Sequence, residues 1–119
     1  SKLPANPSPA DETNVLTREG EKILSRIKDN DYVIAMEVEG QQLDSVELSG
    51  KLQRIFDTGS STIDFIIGGS LGLSDKVKWR ADYGMSFSML TFPHQLARVM
   101  LLEQVYRAFK ISNGETYHK

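Results

Sequence analysis

An α/β domain, with a mostly parallel sheet flanked by helices, is what this sequence predicts. Three observations predict it. Apolar runs rich in strand formers recur at 32–38, 62–67 and 85–88, separated by stretches with helical spacing. The runs lack clear polar alternation, the mark of strands covered on both faces. At 119 residues, 39% apolar and 25% charged, the chain suits a single core and is too apolar for disorder.

The elements follow in order. Residues 1–14 hold Pro4, Pro7 and Pro9 and read as an extended lead-in, with one domain over 15–119. A helix is expected at about 14–28, with Leu16, Ile23, Leu24 and Ile27 on one face. The first strand runs from Tyr32 to Val38. Asp44 or Ser45 caps a second helix reaching Phe56, its buried side supplied by Val46, Leu48, Leu52, Ile55 and Phe56. The second strand, 62–67, leads straight into Gly68-Gly69-Ser70-Leu71-Gly72. Ser74 and Asp75 open a short helix to about Ala81, and a third strand covers Met85 to Ser88. Pro93 suits a first helical turn, and a long helix to about Ile111 presents Leu96, Val99, Met100, Val105, Tyr106 and Phe109 as a wide apolar face. That face exceeds what one small core consumes, so burial against a second copy is expected.

Composition removes several functions. Cysteine is absent and histidine occurs twice, which excludes disulfides and thiol nucleophiles and makes a poor metal set. No apolar run approaches the roughly 20 residues of a membrane span, and no signal peptide is evident, so a cytoplasmic protein is expected. The net charge of −2 hides an asymmetry. Residues 1–75 carry 7 Lys and Arg against 13 Asp and Glu, whereas residues 76–119 carry 7 against 3. A basic C-terminal third points to an anionic partner such as RNA or a nucleotide, or else to a solvated charged face.

Sheets of this type bind ligands at the carboxyl ends of their strands, here 36–40, 67–72 and 88–92. The Gly68–Gly72 turn lets backbone approach a ligand closely, but it has neither Walker nor dinucleotide spacing, and a tight strand-to-helix turn explains it as well. His94 reads as a base or phosphate contact, or as a cap. Glu103 is placed to pair with Arg98 or Arg107, five and four residues away, the four-residue pair being a common structural arrangement. Arg80, Arg98, Arg107 and Lys110 either track phosphates or are ion-paired. The tail Tyr117-His118-Lys119 reads, by composition, as a frayed end. Residue chemistry stops short of a reaction.

Resemblance goes further. Phe65-Ile-Ile-Gly-Gly-Ser-Leu-Gly-Leu73, the 85–98 stretch Met-Ser-Phe-Ser-Met-Leu-Thr-Phe-Pro-His-Gln-Leu-Ala-Arg, Glu103-Gln-Val-Tyr-Arg-Ala-Phe109 and Gly114-Glu-Thr-Tyr-His-Lys119 resemble the RlmH family, the large-subunit ribosomal RNA methyltransferases H of the SPOUT superfamily. The likeness runs from about Glu19 to the last residue. It implies a trefoil-knotted fold, which no sequence rule suggests. It also implies a homodimer, S-adenosylmethionine as methyl donor, and methylation of N3 of a pseudouridine in large-subunit (23S) rRNA. Family members are generally longer at the N-terminus, and their first strand and helix are expected to be missing here. Some relatives end in Arg and an acidic residue where this sequence has Lys119, and the two cations differ at phosphates.

The resemblance places the cofactor against Met36, Gly68, Phe87, Ser88, Met89, Leu90, Thr91 and Phe92. It gives the catalytic end of the site to Tyr117, His118 and Lys119, with no metal. The alternative is a non-catalytic RNA- or nucleotide-binding α/β module.

Overall fold

A computed structural model describes residues 5–68, 71–87 and 94–112. The elements are α1 (Pro9–Leu24), β1 (Tyr32–Gln42), α2 (Ser45–Asp57), β2 (Ile63–Ile67), α3 (Asp75–Arg80), β3 (Tyr83–Ser86) and α4 (His94–Ser112). Among the described residues the strands form one parallel sheet in the order β2-β1-β3. This is the expected architecture.

Strand β1 shows why its sequence lacks alternation. Val33, Ile34 and Ala35 are all wholly buried. Val33 and Ala35 join Ile66, Leu73 and Val77 on the face covered by α1 and α3. Ile34 joins Leu48, Leu52, Ile55, Met85, Leu101 and Ala108 on the face covered by α2 and α4. A central strand covered on both sides has no position for a polar residue.

Local chemistry sets the helix ends. Asp44 and Glu47 bond to each other's backbone N–H groups in a capping box, so α2 starts where the sequence suggests. Helix α1 departs from expectation. It begins at Pro9 rather than near residue 14, because Ser8 and Asp11 form a capping box and Pro9 takes the first helical position, where it needs no donor. Part of the expected lead-in is therefore helix. Helix α1 also ends at Leu24, short of residue 28, and β3 starts at Tyr83, two residues early.

The wide apolar face expected on α4 is only partly used by the core. Its buried residues include Leu101 and the small Ala97 and Ala108, which let the helix sit close to the layer below. Leu96, Tyr106 and Phe109 are exposed, as are Val99 at 63% and Leu102 at 68%.

Side chains bind the amino edge of the sheet. Val33 N–H donates to Asp82 Oδ2 at 2.8 Å, and Arg80 donates to the carbonyls of Lys28 and Asp31 at 3.1 and 3.0 Å. The Lys51 ammonium lies over the Tyr83 ring, 3.7 Å from its centre. Beside these, Asp64 stands opposite Val33, and its buried Oδ2 lacks a donor, which a proton shared with Asp31 would supply. Burial first, then the hydrogen bond to Asp31 and the Asp31 charge, push the Asp64 carboxyl up to about 6, with Arg80 opposing. The bond from Asp64, followed by the Lys28 N–H, holds Asp31 below its usual range.

The signs differ for the two groups. Asp64 binds its proton more tightly when folded, so its contribution is complete below its ordinary value of 3.8 and is lost as pH rises through about 6. Asp31 contributes above its ordinary value and loses that contribution as pH falls through the lowered one. Replacing Asp64 by Asn should therefore raise the melting temperature relative to wild type progressively between about pH 4 and 7. Thermal melts showing a constant difference across that range would mean that Asp64 ionises normally.

Candidate functional site

The ladder registers bring three strand ends to one level. Met36 on β1 pairs with Ile67 on one side and Met85 on the other. Gly68 follows Ile67, and Phe87 follows Ser86, which ends β3. Met36, Gly68 and Phe87 thus stand at one carboxyl edge, across three strands that span about 10 Å. Met36, Ile67 and Phe87 are partly buried against the core under α2 and α4. The remaining expected cofactor residues Ser88, Met89, Leu90, Thr91 and Phe92, and the tail Tyr117, His118 and Lys119, lie outside the described residues. So does the side chain of His94.

Met36 is not where β1 ends. The strand continues to Gln42, but residues 37–40 leave the ladder as a bulge before Gln41 pairs again with Met85. Gly40 makes this possible. A Cβ there would fall 2.7 Å from Met85 N and 2.8 Å from Gly84 C. A glycine inside a strand-like run is a sequence signal of a bulge or close backbone approach. The bulge carries Glu37, whose carboxylate lies 3.9 Å from the Lys78 ammonium.

Gly68 needs to be glycine for a local reason. A Cβ there would stand 2.6 Å from the Gly72 carbonyl oxygen, so the backbone of the turn itself occupies that space. Behind it, on the side of α1, lies a recess bordered by Leu16, Glu19, Ile23 and Ile67. Its empty volume of about 240 Å³ includes open solvent, less than ligand sites of about 300 Å³ and more.

Two expectations about charge can be settled. Arg107 Nη2 donates to Glu103 Oε1 at 2.6 Å, the i,i+4 pair. Arg80 is held by the Lys28 and Asp31 carbonyls and by Asp82, so its role is architectural. No group of three or more His, Cys, Asp or Glu among the described residues could hold a metal, and no described helix is long and apolar enough to cross a membrane.

Comparison with known proteins identifies the family. A sequence family described as "Predicted SPOUT methyltransferase" matches residues 2–118. The chain belongs to the SPOUT methyltransferase family. Among its SPOUT relatives, the Ribosomal RNA large subunit methyltransferase H of Clostridium acetobutylicum is 57% identical over 118 residues, covering 99% of this chain and 74% of the relative. Proteins of the same name from Alkaliphilus oremlandii and Clostridioides difficile are 55% and 52% identical, with the same coverage. The SPOUT assignment agrees with the parallel sheet flanked by helices and with the family read from the sequence motifs.

Gly40 and the helical Gly50 of α2 give a direct contrast. Gly40→Ala forces a methyl group into the backbone of β3 and should cost about 1–3 kcal/mol. Gly50→Ala, in the middle of α2, meets only the Arg54 side chain at 3.4 Å and should stabilise by about 0.5–1 kcal/mol. Urea denaturation of both variants measures the contrast.

Proposed function

We propose that this protein is an S-adenosylmethionine-dependent methyltransferase acting on N3 of a pseudouridine in large-subunit rRNA. The observation that carries this reading is identity of 57% over 99% of the chain to a protein named for that class of reaction. The described edge fits the cofactor in kind. Partly buried Met36 and Phe87 offer apolar surface to a purine, and Gly68 stands beside them at the same edge. Ser88, Met89, Leu90, Thr91 and Phe92 would complete the crease, and the trefoil-knotted form of the fold belongs to the same proposal.

When bound, S-adenosylmethionine supplies an already activated methyl group on a sulfonium, so the reaction needs neither a metal nor a covalent enzyme intermediate. The protein's work is to hold the base in line and to let the N3 proton leave. Positioning supplies much of the acceleration, and proton acceptance a smaller part. Because N3 is covered in paired RNA, the base must be extruded to be reached. Tyr117, His118 and Lys119 are assigned to meet that base and its phosphates.

A homodimer in the cytoplasm completes the reading. The apolar residues exposed on α4, including Val99 and Leu102, support a second copy as their cover. In that arrangement the tail of one subunit serves the crease of its partner. Tritium transfer from labelled S-adenosylmethionine to large subunits lacking the modification tests the activity; absence of transfer by the full chain would overturn it. The shared site is tested with two inactive variants, Gly68→Val and a chain lacking residues 115–119. Mixed and reassembled, they should regain activity through heterodimers that contain one intact composite site. Heterodimers that form but remain inactive would show that each tail serves its own crease.

A further inference from the structure

Trp79 is the single tryptophan of the chain, and it is 92% exposed. The phase of α3 causes this. Val77 is wholly buried under the sheet, which turns the position two residues later outward. Helix α3 is also fixed at both ends. Ser74 Oγ accepts from Val77 N–H at 3.4 Å and lies where a Cβ at Gly20 of α1 would collide with it, while Arg80 is held by the carbonyls of Lys28 and Asp31. The indole is therefore presented on a rigid mount, with a large apolar area in water.

Lys76 and Lys78 stand on the same short helix, three residues and one residue before the ring, and both are exposed. The contact of Lys78 with Glu37 is long and solvated, worth little against a competing phosphate. The acidic neighbours on the same segment are Asp75, in the first turn of α3, and Asp82, which already accepts from Val33 N–H and Arg80. Elsewhere in the basic C-terminal third, Arg80 and Arg107 are bonded to carboxylates and Lys110 lies over the Tyr106 ring. The cations beside Trp79 are thus well placed to meet phosphate. This surface also lies on the sheet face opposite α4, so a second copy covering α4 leaves it open.

We propose that Trp79, with Lys76 and Lys78 on the same helix, is a stacking platform for an unpaired base of the RNA substrate outside the methyl-transfer crease. The proposal depends on the RNA-modifying reading above. Aromatic stacking tolerates any base, and lysines follow the backbone, so the surface adds affinity and orientation without sequence choice.

The single tryptophan is its own probe. In the full chain its emission should be quenched by acrylamide before RNA is added. A mixed-sequence single-stranded oligoribonucleotide should then quench it saturably, and the corresponding duplex only weakly. By anisotropy of the labelled oligonucleotide, Trp79→Ala should weaken single-strand binding about 5- to 100-fold, with Trp79→Phe restoring most of it. The double variant K76Q/K78Q should lower the slope of log affinity against log salt by about one to two.

An indole already shielded from acrylamide would mean that a protein segment covers it, and would overturn the proposal. So would RNA that binds without changing the emission. Labelled methyl transfer separates the two readings. If Trp79→Ala methylates ribosomal subunits with unchanged KM, the platform falls and the methyltransferase stands. If RNA quenches Trp79 but the wild-type chain transfers no methyl, the platform stands without that activity. Failure of the full chain to bind RNA removes both.

Discussion

Val33, Ile34 and Ala35 occupy a strand with ladder partners along both edges and apolar cover on both faces. Each layer of the protein is defined by its relation to these residues. The α1–α3 layer exists to cover Val33 and Ala35, and the α2–α4 layer to cover Ile34. A polar group introduced here would lose water and find few free partners, because the ladder already uses the neighbouring backbone groups. The same pairing sets the level at which the three strands end, and so fixes where Met36, Gly68 and Phe87 meet. Fold and candidate site depend on one short apolar run.

Glycine governs what happens just past that run. At Gly40 the returning backbone of β1 presses on β3, and at Gly68 the turn presses on its own far end at Gly72. Both contacts are backbone against backbone, which no rotamer change can relieve. The carboxyl edge is consequently shaped by main chain more than by side chains. A cofactor held by main-chain groups at such an edge depends on the path of the loops, and many side-chain identities around it can vary without loss.

Much of this was legible in the sequence, for identifiable reasons. The Asp44-to-Glu47 capping box, the unalternating strands and the Ser74 cap are local signals that tertiary structure had no cause to override. Pro9 misled because three nearby prolines suggest extended chain, whereas the Ser8–Asp11 box turns one of them into a helix start. On helix α4 the excess of apolar surface was legible, but which residues face inward depends on how closely the helix approaches, and Ala97 and Ala108 permit an approach that larger residues would block. Gly68 was recognised as a candidate position, but its reason, contact with Gly72, is a three-dimensional fact. The outward turn of Trp79 is not legible in the sequence, because a helix of six residues is too short to show its phase.

The strand order β2-β1-β3 carries a consequence for the newly made chain. Of these three strands the middle one is made before its two outer partners, the second of them ending only at Ser86. As the chain leaves the ribosome, Tyr32 to Met36 emerges with neither neighbour available. Its most apolar segment therefore waits, unpaired, while some fifty residues are added, a few seconds at ordinary elongation rates. Parallel pairing across such separations is also slow to close once the chain is complete. During that interval α1 and α2, whose capping boxes depend on nearby residues alone, are the elements able to form and shield it.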